Sequence, residues 1–359
     1  MARIDSFLEL VVDQKASDLH FHAGKAPLIR HNGDMITLPF RVLTETQARR
    51  FVLEIMTSSQ RELFAQQREI DFMYELEGVG RFRANVFHQR DGMGGVFRVI
   101  PPGVPSLQSL DLPRTLRALI NQANGLLLVT GPTGCGKTTT LAALVNEINS
   151  TAQRHIITIE DPIEFIHAPI KSVVTQREVG RHTYSFGSAM RSALREAPDV
   201  LVVGELRDEE TISLALNAAE TGVLVVGTLH TSGAAKSVNR VINALPEETR
   251  EQMRGVLAML LRGVVSQQLC RRANGEGQVA VLEVLLQSWA VANMIRENKI
   301  HQIEGYLQSV NFEKTSMCSL DNCIIQYVRD GLITLEEGAS VAHYPDQVRS
   351  VCGGFSPEE

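Results

Sequence analysis

The sequence lacks any apolar run approaching the roughly 18 residues needed to cross a bilayer, and its opening, MARIDSFLEL, has no basic segment followed by a long apolar core. Neither a transmembrane segment nor an export signal is expected, and the chain reads as cytosolic. Paired CxxC motifs are also missing. The five cysteines are an odd number, which argues against a disulfide framework and against a structural zinc site. Cys318 and Cys323 are expected to be half-buried thiols on a helix. Nor is there an excess of basic charge. With 35 Lys+Arg against 41 Asp+Glu the net charge is -6, so free nucleic acid and anionic membrane surfaces are repelled on average, and only a locally basic groove stays open. Internal repeats and low-complexity blocks are absent. What remains is a globular composition, 44% hydrophobic and 21% charged, in 359 residues, a length that suits two domains.

Residues 1–100 read as a smaller mixed α/β domain. After an amphipathic helix, SDLHFH and PLIRHNGD look like two strands joined by a turn, and Thr44 to about Arg68 has a helical pattern. DFMYELEGVGRFRANVFHQRDGMGGVFRVI then alternates between Gly-rich turns, as antiparallel strands do. Four prolines between Ile100 and Pro113 mark residues 101–113 as a linker. From residue 114 to 352 the apolar runs GLLLVT, HIITIE, DVLVVGE and GVLVVGTLH alternate with helical segments, which predicts a parallel sheet covered on both faces. Beyond Pro246 the pattern is mostly helical, with QVAVLEVL an isolated strand, and residues 353–359 form a tail.

Directly after LLLVT stands GPTGCGKTTTLAA. Gly131, Gly136, Lys137 and Thr138 satisfy G-x-x-x-x-G-K-[ST] in the strand–loop–helix context the motif requires. Gly131, Pro132, Thr133, Gly134, Cys135, Gly136, Lys137, Thr138 and Thr139 are therefore expected to bind ATP. Glycines let several backbone N–H groups face one anion at a helix N-terminus, Lys137 reaches the β and γ phosphates, and Thr138 holds Mg²⁺. Hydrolysis needs more than this. P-loop enzymes commonly hold the metal with an acidic residue at the end of a second apolar strand. Here that strand reads DVLVVGELRD, so Gly204 stands where an aspartate is expected and Glu205 remains. HIITIEDPIEF offers a remedy: if its strand is adjacent in the sheet, Glu160, Asp161 and Glu164 supply carboxylates near Mg²⁺, the three unranked. His230 ends VLVVGTLH. Parallel sheets place their sites at the carboxyl ends of strands, so it is expected to sense the γ phosphate. His20 and His22 share a strand face without further ligands nearby in sequence and do not read as a metal site.

Together, GPTGCGKTTTLAA, TIEDPIEFIH, QREVGRHTYSFGSAMRSALREAPDVLVVGELRD and GTLHTSGAAKS resemble the PilT family of type IV pilus retraction ATPases, within the secretion ATPase superfamily, and the likeness covers almost the whole chain. The resemblance implies a PAS-like N-terminal domain and a RecA-like P-loop ATPase domain. It further implies a cytoplasmic homohexamer at the inner membrane, peripheral to it and in contact with the platform protein of the pilus machine. It assigns Gly131 to Thr138 as Walker A, Glu160 to Glu164 as an acidic box, and Glu205 as the Walker B residue that activates water and contributes to the metal site with Thr138 and Glu164. His230 marks a histidine box. Arginines of the N-terminal domain complete the site, which carries over to Arg83 and Arg98, less firmly to Arg81 and Arg90; Arg207 either makes a subunit contact or supports Glu205. The family's C-terminal motif, close to AIRNLIRE, departs here to AVANMIRE, with Ala292 in place of the first arginine. Its Val291, Met294 and Ile295 read as a core-packing stripe. No long N-terminal extension or four-cysteine insertion of the extension and secretion branches is present, which favours retraction. Two rivals fit parts of the sequence: an accessory pilus ATPase or nucleotide-gated adaptor with little turnover, and a RecA-like DNA translocase using the basic end of RGVVSQQLCRR.

Overall fold

The computed structural model describes residues 2–31 and 33–353, and the chain divides into two compact units. The first holds residues up to Gly103 together with Pro162–Ile166; the second holds Val104–Asp161 and the chain from His167 onward. Residues 354–359, most of the expected tail, lie outside the described residues.

In the first unit six strands, β1 (Asp18–His22), β2 (Leu28–His31), β3 (Asp34–Thr37), β4 (Glu69–Leu76), β5 (Gly80–Gln89) and β6 (Gly92–Ile100), form one antiparallel sheet in the order β3-β2-β1-β6-β5-β4. Period-2 alternation sets its faces. Along β5 Phe82, Ala84 and Val86 are buried, joining Leu19, Phe21 and Phe97 and residues of the helices Asp5–Asp13, Glu45–Glu54 and Ser58–Gln67 in one core. Arg81 and Arg83 therefore point to the other face. The helical pattern expected from Thr44 to about Arg68 is carried by two helices. Thr44 with Gln47 and Thr57 with Gln60 each close a capping box, so Thr57 starts a new helix after the break at Ile55–Met56.

The second unit contains β7 (Gly125–Thr130), β8 (His155–Glu160), β9 (Val173–Glu178), β10 (Val200–Val203), β11 (Leu224–Leu229), β12 (Leu261–Arg271) and β13 (Gln278–Leu286), ordered β13-β12-β7-β11-β10-β8-β9. All neighbours are parallel except β12 and β13. Every residue of β7, β10 and β11 is buried, as continuous apolar runs require when helices cover both faces. Alternate residues of β7 feed two separate cores: Leu126 and Leu128 face one, Leu127 and Val129 the other.

RGVVSQQLCRR, expected within a mostly helical region, is instead strand β12, inserted between β7 and β13. QVAVLEVL is thus paired rather than isolated. Sandwiched between two strands, Val264 and Val265 gain burial that overrides local helical pattern. Part of the proline-rich segment is also tied down, since Leu107 and Leu112 join the second unit's core and Asp111 pairs with Arg272 at 2.7 Å. Cys323 lies on the helix Leu320–Arg329, whereas Cys318 precedes it and bridges to Val284; burial pushes the Cys318 thiol up to about 12 and that of Cys323 up to about 11.

Candidate nucleotide site

The order β7-β11-β10-β8 lines up four strand ends along one edge of the second unit's sheet. β7 opens into Gly131–Gly136 and then the helix Lys137–Thr151; β11 is followed by His230, β10 by Gly204 and Glu205, and β8 ends at Glu160. HIITIE is indeed adjacent to the strand that carries Glu205, two places away from the phosphate-loop strand.

Lys137 is buried. Its Nζ donates to the carbonyls of Gly131 at 2.8 Å and Pro132 at 2.9 Å, and lies 3.4 Å from Nδ1 of His230. Burial lowers its pKa, opposed by the field of Glu205. An ammonium held by neutral groups beneath a curled glycine loop is what a polyphosphate would neutralise, so the residues present fit a nucleotide. His230 joins this cradle to the acidic strand. Nδ1 is also 3.4 Å from Thr133 Oγ1, while Nε2 lies 3.3 Å from Glu205 Oε1. Lys137 can only donate, so Nδ1 accepts and Nε2 carries its hydrogen toward the carboxylate. The other oxygen of Glu205 takes a 2.6 Å bond from Arg207 Nε. Gly204 is small for a packing reason: a Cβ there would sit 3.1 Å from the Ile159 carbonyl of β8.

The acidic stretch after β8 is split. Glu160 and Asp161 belong to the second unit, where Glu160 accepts from Thr158 at 2.6 Å and from Gln176 at 3.1 Å and Asp161 is exposed. Glu164 belongs to the first unit, and three of the arginines singled out from the sequence meet there. Arg83 pairs with its carboxylate at 3.5 Å, Arg81 donates to the carbonyls of Glu164 and Ile163 at 2.6 and 3.0 Å, and the charge of Arg98 acts on it as well. Burial nevertheless raises the Glu164 pKa. Arg83 and Arg98 lie directly opposite each other across β5 and β6, and each has a second acidic partner, Asp71 at 3.7 Å and Asp18 at 3.0 Å. Arg90 is elsewhere. It sits in the β5–β6 turn, exposed, paired with its neighbour Asp91. Sequence reasoning missed Gln267, whose amide reaches the Cys135 carbonyl of the loop, because its strand lies within a stretch of mostly helical pattern.

Three comparisons locate the chain among known proteins. Residues 2–337 match the type II/IV secretion system protein family. The type IV pilus retraction ATPase PilT of Pseudomonas aeruginosa is 44% identical over 343 residues, 96% of this chain and 99% of that protein. The chain belongs to the PilT family of type IV pilus retraction ATPases. A twitching motility protein of Neisseria gonorrhoeae is 47% identical over 310 residues, 86% of this chain and 82% of that one. Among solved structures, the pilus retraction motor PilT with bound ADP superposes with a TM-score of 0.86 at 40% identity, covering 97% of this chain and 98% of the other. The small antiparallel domain and mostly parallel P-loop sheet thus form the PilT fold, as the motifs implied. Ala292 is buried in the second unit's core beside Val291 and Ile295.

Proposed function

We propose that the chain is the ATP-hydrolysing motor of type IV pilus retraction, working with Mg²⁺ as a cytoplasmic homohexamer held peripherally at the inner membrane by the platform protein of the pilus machine. The observation that carries this reading is the link Lys137–His230–Glu205, which ties the phosphate cradle to a carboxylate two strands away. No helix among the described residues is long and apolar enough to cross a membrane.

Gly131 to Thr139 bind the phosphates, and Lys137 exchanges its backbone carbonyl partners for them. Thr138 and Glu205 are the proposed holders of Mg²⁺, which when bound would neutralise charge on the phosphate oxygens. Glu205 orients and deprotonates the attacking water, with Arg207 fixing its rotamer. His230, with Nδ1 against Lys137 and Thr133 and Nε2 3.3 Å from Glu205, reports the state of the cradle to that carboxylate. Glu160 and Asp161 shape the acidic end of the site. Glu164, engaged with Arg83, is assigned the task of holding the arginines that contribute to turnover in the assembled ring.

Deleting the gene tests the biological role. The strain should carry excess surface pili and show no twitching, and the wild-type gene should restore movement. The alternative reading, an accessory pilus ATPase, rests on Ala292 standing where AIRNLIRE has its first arginine; retained twitching in the deletion strain would select it.

A further inference from the structure

The phosphate loop rests on a residue from another strand. β12 runs parallel to β7 with Ser266 opposite Thr130, which brings Gln267 level with the start of the loop. The Gln267 side chain is 2% exposed, and both ends of its amide are engaged. Nε2 donates to the Cys135 carbonyl at 2.5 Å, and Oε1 accepts from Thr140 Oγ1 at 2.7 Å. The amide orientation is fixed by chemistry, because a carbonyl only accepts and the NH₂ end must therefore face Cys135. Two loop glycines press on the same residue. A Cβ at Gly131 would lie 2.3 Å from the Gln267 carbonyl oxygen, and one at Gly136 would lie 2.9 Å from Gln267 Nε2.

We infer that Gln267 is a positioning residue for nucleotide binding, a role that rests on the ATP reading above. In a planar trans peptide the C=O of one residue and the N–H of the next point in opposite directions. Holding the Cys135 carbonyl down onto β12 therefore aims the Gly136 N–H away from β12, toward the open side of the loop. The second bond, to Thr140, locks the first turn of the helix Lys137–Thr151 to the same anchor. The loop is thus shaped before phosphate arrives, and the ordering cost is met by folding rather than by binding.

The test compares binding of a fluorescent ADP derivative, together with thermal midpoint and kcat and KM for ATP, in full-length wild type, Gln267→Met and Gln268→Met. Methionine keeps the volume and loses both bonds. Gln267→Met should weaken ADP binding about tenfold or more and raise KM similarly while changing kcat less, and Gln268→Met should match wild type. Thr140→Val should reproduce part of the loss and Thr140→Ser should recover it, a pair that decides the matter should Gln267→Met fail to fold. Unchanged ADP affinity in Gln267→Met, or in Thr140→Val where that pair is decisive, would overturn the inference even if the melting temperature fell. Absence of nucleotide binding by wild type would instead overturn the ATP reading on which it rests.

Discussion

Glu205 and Glu164 are both paired with arginine, but they serve different units and feel different surroundings. Glu205 is held by Arg207 and by His230, and through His230 it is connected to Lys137 and Thr133 of the phosphate loop. Glu164 is surrounded by Arg81, Arg83 and Arg98 of the first unit's sheet, and burial raises its pKa despite those three charges. A carboxylate wired to the cradle is placed for chemistry on a phosphate. A carboxylate ion-paired to Arg83, whose backbone carbonyl is also gripped by Arg81, is placed to organise arginines. Motif proximity in sequence conceals this division, since residues 160 and 161 fall in one unit and 162 to 166 in the other.

The comparison breaks most directly at Glu205. Glu205→Gln should keep nucleotide binding and lower turnover by about 10²- to 10⁴-fold, measured as phosphate release. An effect of the same size from Glu164→Gln would erase the distinction. Arg83→Ala should reduce turnover about tenfold or more while leaving ADP binding by an isolated subunit unchanged; equal activity would remove the arginine contribution. His230→Ala should lower turnover by a smaller factor, several-fold at saturating ATP, because it cuts the link without removing either end. Full activity in that variant would show the link to be idle.

His167, three residues beyond Glu164, gives the smallest and most specific effect. Burial lowers its pKa to about 4, and among the described residues its Nδ1 has no hydrogen-bond partner. A depressed folded-state value means that the unfolded chain binds the proton first, so the contribution is fully present above about pH 6.5 and is lost as pH falls toward 4. Denaturant unfolding should show about 2 kcal/mol of this loss between pH 7 and pH 5. His167→Phe should flatten the profile by that amount, and an unaltered slope would discard the assignment. Glu164 acts with the opposite sign. Its raised value gives stability that is present at low pH and lost as pH rises through the folded-state value.

The phosphate loop was legible from residues alone because its geometry admits few side chains: glycines with positive φ, a lysine and a threonine at a helix start. The parallel sheet was legible from fully buried apolar runs. Strand order was not, because nothing local tells β10 which neighbours it will have, and the adjacency of HIITIE entered only as a condition. β12 escaped because its helix-compatible residues are held extended by β7 and β13. The threonine–glutamine spacing at Thr44 and Thr57, a capping box in each case, is the local signal that divides the helical segment of the first unit. The arginines came from the family likeness, and their convergence on Glu164 required a contact between residues about eighty positions apart.

The most direct test of the account is phosphate release by purified full-length protein, monomeric and assembled, with magnesium and with a chelator. The account predicts release that requires magnesium and stops when it is removed. Nucleotide binding with no release in any state of assembly would contradict it and leave an adaptor in place of a motor.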